Sequence, residues 1–514
     1  MDHTPYRKPA LTAAQMALLM MVLTLVSKCF GFIRDMVLAN FFGTSSITDA
    51  YVMAQSIPDI LLGGVFAAIG TTYIPVFSEV AERRGKQAGL RFTNQMMTLG
   101  ILVALAGILV GWAFSDQLIA VFAGKFPPET AHLAAFYLRV TFGYALFTCT
   151  NGILSAYLQY HNHFLQPIIA GYAYNAGMIA VIILSALTNH YYLAFGALVG
   201  HGLQTVCTFL AARRSAEFRF RPEVAFNADI KRAVLLAVPV FIGSSAGAIN
   251  GFVDKSLAAG LREGSMAALN YGYILIAVII GLSTSIVATL TYPRMTKAVT
   301  QGDWESFSAL GEKSLSVALV FCIPLCLGAA VFSDEVVQVL FERGAFDTTS
   351  TALTGEAFAF YSPSLVFMAL NGLLTQIYYS MRDMKTPILC SLVSVAVNIG
   401  LNLALVGMME HRGLALATSA AATVNAVLLL AMMKRKHPEI GLFPRRSKVL
   451  RICAAALPAV SAAVLVYRLA ALVWMPRFFY LFFAVLAAVL VYLMLLRLLK
   501  VEEVGVLKEL LGKR

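Results

Sequence analysis

Apolar runs of 20 or more residues recur along the whole length of this chain, and nothing else in the sequence restricts the fold as strongly. A helix rises about 1.5 Å per residue, so about 20 such residues cross a hydrocarbon layer roughly 30 Å thick. Fourteen segments meet that requirement, near 12–42, 47–79, 90–114, 131–158, 165–187, 190–212, 230–260, 265–293, 307–332, 352–380, 387–408, 413–433, 450–472 and 478–498. No soluble domain of ordinary size fits between them. Hydrophobic residues make up 59% of the chain and charged residues 13%. Soluble domains average about 45–50% apolar and about 25% charged. The expected class is an all-α polytopic membrane protein.

The formal net charge of +12 does not point to nucleic acid, because the basic residues fall in alternate connecting segments. Placing the N-terminus in the cytoplasm puts 28 lysines and arginines in inside segments and six outside. That asymmetry expects both termini in the cytoplasm. The run Leu11–Val26 lacks a small-residue cleavage site and continues into further apolar sequence, so it reads as the first span. The seven cysteines are scattered. Cys322 and Cys326 share a helix face but have no nearby histidine or further cysteine to make a zinc site. The tail "KVEEVGVLKELLGKR" is amphipathic and basic, which suits a helix lying on the inner leaflet. No phosphate-binding loop, dinucleotide turn or nucleophile elbow is present, so the chain reads as a non-enzyme without a certain cofactor.

The sequence also repeats. "NGILSAYLQYHNHFLQPII" (151–169) aligns without gaps to "NGLLTQIYYSMRDMKTPIL" (371–389), an offset of 220. Pro75 in "TTYIPVFSEV" matches Pro293 in "TLTYPRMTKAV", and "GFIRDMVLA" in span one faces "GFVDKSLAA" in span seven, Asp35 against Asp254. A repeat of this length holds six spans, an even number, which gives parallel halves with a substrate path between them. The expected organisation is a six-helix lobe over 1–222, a second over 223–440, and two extra helices with the basic tail over 441–514. That architecture is a transporter's.

Charges inside a span cost roughly 2.5–3.5 kcal/mol each, so they mark cavities or partners. Span one carries Lys28, Arg34 and Asp35, and Asp49 opens span two. They can form a cationic wall for an anionic headgroup, with the aspartates orienting the cations. An Arg34–Asp35 pair snorkelling at the interface is the plainer alternative. Arg139 in span four fits either lining that cavity or snorkelling from a tilted helix. The second half differs. Asp254 in span seven, Asn398 and Asn402 four apart in span eleven, and Thr418 in span twelve make an oxygen-rich set suited to a hard cation such as Na⁺. Ordinary interhelical hydrogen bonding is the alternative.

The segments "SKCFGFIRD", "TDAY", "TTYIPVFSEV", "DKSLAAGLREGSMAALNYG", "LFERGAFDTTSTALTGEAFAFYS" and "MKTPI…GLALATS" together resemble the MurJ/MviN family of lipid II flippases, colinearly from about residue 20 to 437. The resemblance implies a fourteen-helix, two-lobed protein of the bacterial cytoplasmic membrane. It would move an undecaprenyl-diphosphate-linked peptidoglycan precursor from the inner to the outer leaflet by alternating access. Its partners would be that precursor, membrane lipids and cell-wall synthesis proteins around a monomer. The resemblance also implies substrate roles for Lys28, Arg34, Asp35 and Asp49, and a Na⁺ site of Asp254, Asn398, Asn402, Thr418 and the carbonyl of Leu414. A lipid-tail groove over the last two helices follows from the same likeness. Two arginines common in relatives are absent: "PDILLGG" has Leu62 and Gly63 where they follow a "P-N-L-L" stretch, and Ile274 stands at another such position. A flippase for another lipid-linked glycan, a cation-coupled drug exporter and a non-transporting scaffold are the competing readings. Lys28 and Arg34 speak against a site for organic cations in span one.

Overall fold

The computed structural model describes residues 13–216, 218–472 and 476–501, and among them every regular element is helical. The order is α1 (Ala13–Phe42), α2 (Ser46–Pro58), α3 (Gly64–Arg84), α4 (Lys86–Ala113), α5 (Ser115–Ala123), α6 (Pro128–Thr141), α7 (Tyr144–Tyr160), α8 (Leu165–Leu187) and α9 (Phe195–Ser215). There follow α10 (Ala228–Ala258), α11 (Ser265–Gln301), α12 (Trp304–Val331), α13 (Ser333–Phe341), α14 (Thr348–Tyr361), α15 (Ser364–Ser380), α16 (Lys385–Lys436), α17 (Arg446–Ala470) and α18 (Arg477–Leu498). Among the described residues nine helical segments are long and apolar enough to cross a membrane, and α14 with α15, bent by 48°, makes a tenth. Of these, α16 is 52 residues long but leaves helical geometry at Glu410 (φ 51°, ψ −134°), so it is two helices meeting at a turn. Helices α1, α10 and α11 hold 30, 31 and 37 residues, each enough for about 45 Å or more. The expected amphipathic tail helix beyond Val501 lies outside the described residues.

Backbone geometry repeats where the sequence does. Helices α4 and α12 both have 28 residues, α5 and α13 nine, α6 and α14 fourteen, α7 and α15 seventeen. Even the turns match. Asn162 and Arg382, 220 positions apart, are both left-handed, with φ of 62° and 61°. In each turn the next amide closes back on the helix, His163 N to Leu158 O at 2.8 Å and Asp383 N to Tyr378 O at 3.0 Å.

Two compact units emerge. The first runs to Phe41 and resumes over Met53–Ala248; the second takes Phe42–Val52 and continues from Ile249. This division by packing falls within α10, because the start of α10 packs into the first unit's core. Ile230 and Ala233 join Tyr73, Phe77, Phe92 and Tyr157 there. In lipid, apolar side chains gain little by leaving the solvent, so close backbone approach and interhelical hydrogen bonds decide the packing. A Cβ on Gly100 would come within 2.5 Å of Cys149 Sγ, and one on Gly111 within 2.2 Å of the Phe142 ring. Tyr73 Oη shares a 2.6 Å hydrogen bond with Thr93 Oγ1. The segment between α9 and α10 is tied along α4. Arg221 N donates to Asn94 Oδ1 (3.2 Å) and Glu223 N to Thr98 Oγ1 (3.1 Å), while Arg91 and Gln95 donate to the Glu223 carboxylate. Those bonds from Arg91 and Gln95 hold the Glu223 carboxyl below its ordinary range.

The second unit has its own core, built on Phe307, Leu315, Leu374, Tyr378, Leu429 and Ile452. Tyr492 on α18 donates to Val320 O on α12 at 2.7 Å, which anchors the last helix pair within that core.

Candidate functional site

In the first unit Arg34 sits near the end of α1, and its Nε and Nη2 donate to Asp35 Oδ1 at 3.0 and 2.8 Å. Both side chains are largely covered, 21% and 12% exposed. A neighbouring residue on a helix points about 100° away, so the pair closes only because the long guanidinium bends round to a buried carboxylate. Arg34 Nη1 donates to Tyr174 Oη on α8 at 3.3 Å, and the guanidinium lies 5.7 Å from that ring's centre. Asp35 and Tyr174 therefore hold the planar guanidinium in one orientation, the fork geometry that recognises phosphate oxygens. Lys28, two turns earlier on α1, is exposed.

From Tyr174 the polar features continue through residues that no reading of the sequence singled out. The Tyr174 ring lies 4.6 Å from that of His201 on α9, and His201 stacks at 4.9 Å on Tyr144 of α7. Tyr144 Oη donates to Asp59 Oδ1. Asp59 is exposed and opens a π-helical turn, Asp59–Gly63, directly after Pro58. Proline removes an N–H and clashes with the preceding turn, and a widened turn accommodates both. The signals for this group were a histidine inside an apolar run and a carboxylate, Asp59, inside the second apolar run. Both are single residues whose partners lie far off in the chain.

In the second unit the oxygen-rich set does converge. Asn402 Nδ2 donates to Asp254 Oδ1 (2.6 Å) and to Asn398 Oδ1 (2.7 Å). Thr418 Oγ1 donates to Asp254 Oδ2 (2.9 Å) and to Leu414 O (3.1 Å). Asn398 and Asn402 are fully buried, Asp254 and Thr418 nearly so. Turning the Asn398 amide over brings its nitrogen 3.2 Å from Asp254 Oδ1 and 2.8 Å from Asn250 Oδ1. Asn402 Oδ1 has no hydrogen-bond donor among the described residues. A buried acceptor without a donor costs about 1–3 kcal/mol unless something fills it. The four side chains thus close on one another through hydrogen bonds, with amide nitrogens as well as oxygens facing the Asp254 carboxylate. No group of three or more histidine, cysteine or acidic side chains able to hold a metal occurs among the described residues.

Two expected site residues are engaged elsewhere. Asp49 belongs to the second unit, where its oxygens accept from Gly264 N and Ala267 N, both at 2.7 Å. Those are amides at the start of α11, so Asp49 caps a helix whose own cap position is a glycine. Arg139 pairs with Asp116 and donates to Ser115 Oγ at 2.6 Å, joining α6 to α5.

Long apolar helices in two units whose elements repeat one another, with charged side chains clustered inside each, define a polytopic membrane transporter fold. Among solved structures, "Lipid II flippase MurJ, inward closed conformation" matches with a TM-score of 0.81 at 23% identity, covering 93% of this chain and 98% of that one. An inward-facing multidrug transporter of the MATE family matches at 0.69 and 12% identity, covering 82% and 98%. The family model for lipid II flippase MurJ matches residues 38–490. The chain belongs to that family. Curated relatives include probable lipid II flippases of Rhizobium tropici, 28% identical over 80% of this chain and 79% of that one, and of Rickettsia prowazekii, 27% identical over 86% and 89%. The lipid II flippase of Burkholderia cenocepacia is 26% identical over 80% and 82%.

Proposed function

We propose that this protein moves lipid II, the diphosphate-linked peptidoglycan precursor, from the inner to the outer leaflet of the cytoplasmic membrane. The observation that carries the reading is the Arg34 guanidinium, held by Asp35 and Tyr174 within a membrane-embedded unit. A diphosphate needs charge-assisted donors, and these act more strongly in a low-dielectric cavity than at a surface. Lys28 extends the cationic wall. Asp35 holds the guanidinium in place between substrates, and the polyprenyl tail stays in lipid along α17 and α18, whose outer faces carry Leu457, Leu465, Phe478 and Phe482 exposed.

The cycle is alternating access by two six-helix lobes, 1–222 and 223–440, with the remaining helices as an addition to the second. Fourteen spans and cytoplasmic termini follow from the alternation of basic segments. Asp254, Asn398, Asn402, Thr418 and the Leu414 carbonyl would hold Na⁺, which when bound supplies a compact positive charge to the buried carboxylate. The protein works as a monomer beside the enzymes that use its product.

The test is complementation of a host depleted of its own lipid II flippase, scored by lipid II reaching the outer leaflet. Rescue of growth and translocation is the expected result. Good expression without translocation would refute the assignment and favour another lipid-linked glycan.

A further inference from the structure

The row of side chains in the first unit has two chemically different ends. One is Arg34, neutralised by Asp35 at 2.8 Å. The other is Asp59, an exposed carboxylate at the head of a π turn. Between them stand three rings in sequence, Tyr174, His201 and Tyr144, each within 5 Å of the next and the first 5.7 Å from the guanidinium. The Tyr144 phenol is buried and donates to Asp59, so it fixes the carboxylate at the end of the aromatic row.

An exposed carboxylate fixed by a phenol within a membrane-spanning segment suits a cation. An ammonium brings three N–H donors and no acceptor, which matches carboxylate lone pairs. A phosphate would be repelled by Asp59. A sugar hydroxyl would be served as well by a neutral amide, without the cost of placing a charge in a membrane-spanning segment.

We propose that Asp59, held by Tyr144 at the end of the row that His201 and Tyr174 continue to Arg34, binds a primary ammonium on the peptide of the lipid-linked headgroup whose diphosphate is held at Arg34. This rests on the flippase reading above and deepens it. Recognition becomes two-pointed, anion at one end of the row and cation at the other.

The experiment uses the full-length protein in lipid nanodiscs and two probes: lipid II with a free side-chain amine in its stem peptide, and the same lipid with that amine acetylated. Affinities are read by native mass spectrometry. The wild type should prefer the free amine about tenfold, which corresponds to about 1.4 kcal/mol. Asp59→Asn, nearly the same shape, should bind both lipids equally, and Asp59→Glu should keep a preference. Arg34→Ala should weaken both lipids alike. Equal affinity of the wild type for the two lipids, or a tenfold preference surviving in Asp59→Asn, overturns the subsite and leaves the flippase reading intact. Failure of the wild type to bind either lipid overturns the flippase reading and the subsite with it.

Discussion

Asp49 offers the sharpest test of how this fold is held together. Helix α11 begins after Gly264, whose φ of +81° suits glycine and whose missing side chain cannot cap the helix. The first amides of a helix have no partner within it, and a capping oxygen normally comes from the adjoining residue. Here it comes from a residue 215 positions earlier, through two 2.7 Å bonds to a carboxylate only 5% exposed. The favour is returned, since Glu263 Oε1 accepts from Ser46 N at the start of α2 at 2.8 Å. A hydrogen bond to a charged group is worth about 1.5–3 kcal/mol. Asp49→Ala removes two, so local stability should fall by about 3–6 kcal/mol. Asp49→Asn keeps one acceptor and turns an N–H₂ toward the other amide, so it should lose about half as much. The readout is hydrogen exchange of a peptide covering residues 262–272. At about 1.4 kcal/mol per tenfold, Asp49→Ala should exchange more than a hundredfold faster there, with α4 unchanged as the control. Exchange within threefold of wild type in that peptide would refute the capping role.

Three further outcomes follow from the same geometry. Arg34→Ala should weaken binding of undecaprenyl diphosphate at least tenfold and abolish rescue in the depleted host, while Arg34→Lys, a point charge without the fork, should restore only part of it; undiminished binding by Arg34→Ala would remove the cationic grip. Replacing choline by Na⁺ should stabilise the wild type by about 1.4 kcal/mol at ten times the dissociation constant, seen as a raised melting temperature; Asp254→Ala should show no such rise, and its persistence would place the ion elsewhere. Asp383, in the turn before α16, is raised by burial but held down more strongly by hydrogen bonds from Lys436 Nζ (2.8 Å) and Thr386 Oγ1 (2.6 Å), so that its carboxyl titrates at about 2. Because that lies below its ordinary value, the pair stabilises the fold above about pH 4 and its contribution fades as pH falls toward 2. Melting temperatures of wild type and Asp383→Asn should differ at pH 6 and converge at the acid end; a constant difference would show that the carboxylate's charge is not what Lys436 holds.

The lengths of the apolar runs were enough to dictate helices, because a chain crossing lipid must satisfy its own backbone. The duplication was legible too, since a repeat offset by 220 survives as helices of equal length and as the paired left-handed turns at Asn162 and Arg382. The oxygen set around Asp254 was legible for a related reason: Asn398 and Asn402 are one helical turn apart, and periodicity alone puts them on one face. Other features depended on contacts the sequence does not encode locally. Asp49 read as a charge near a cavity, yet its carboxylate is spent on the amides of a helix 215 residues away. Arg139 read as either a cavity cation or a snorkelling one, and Asp116 in a neighbouring short helix takes it. Asp59, Tyr144, Tyr174 and His201 each look ordinary within their own segments. Only the packing of α7, α8, α9 and the turn after α2 sets them in a row with Arg34, because side-chain contact across helices depends on rotation and depth, which hydrophobic patterning leaves open.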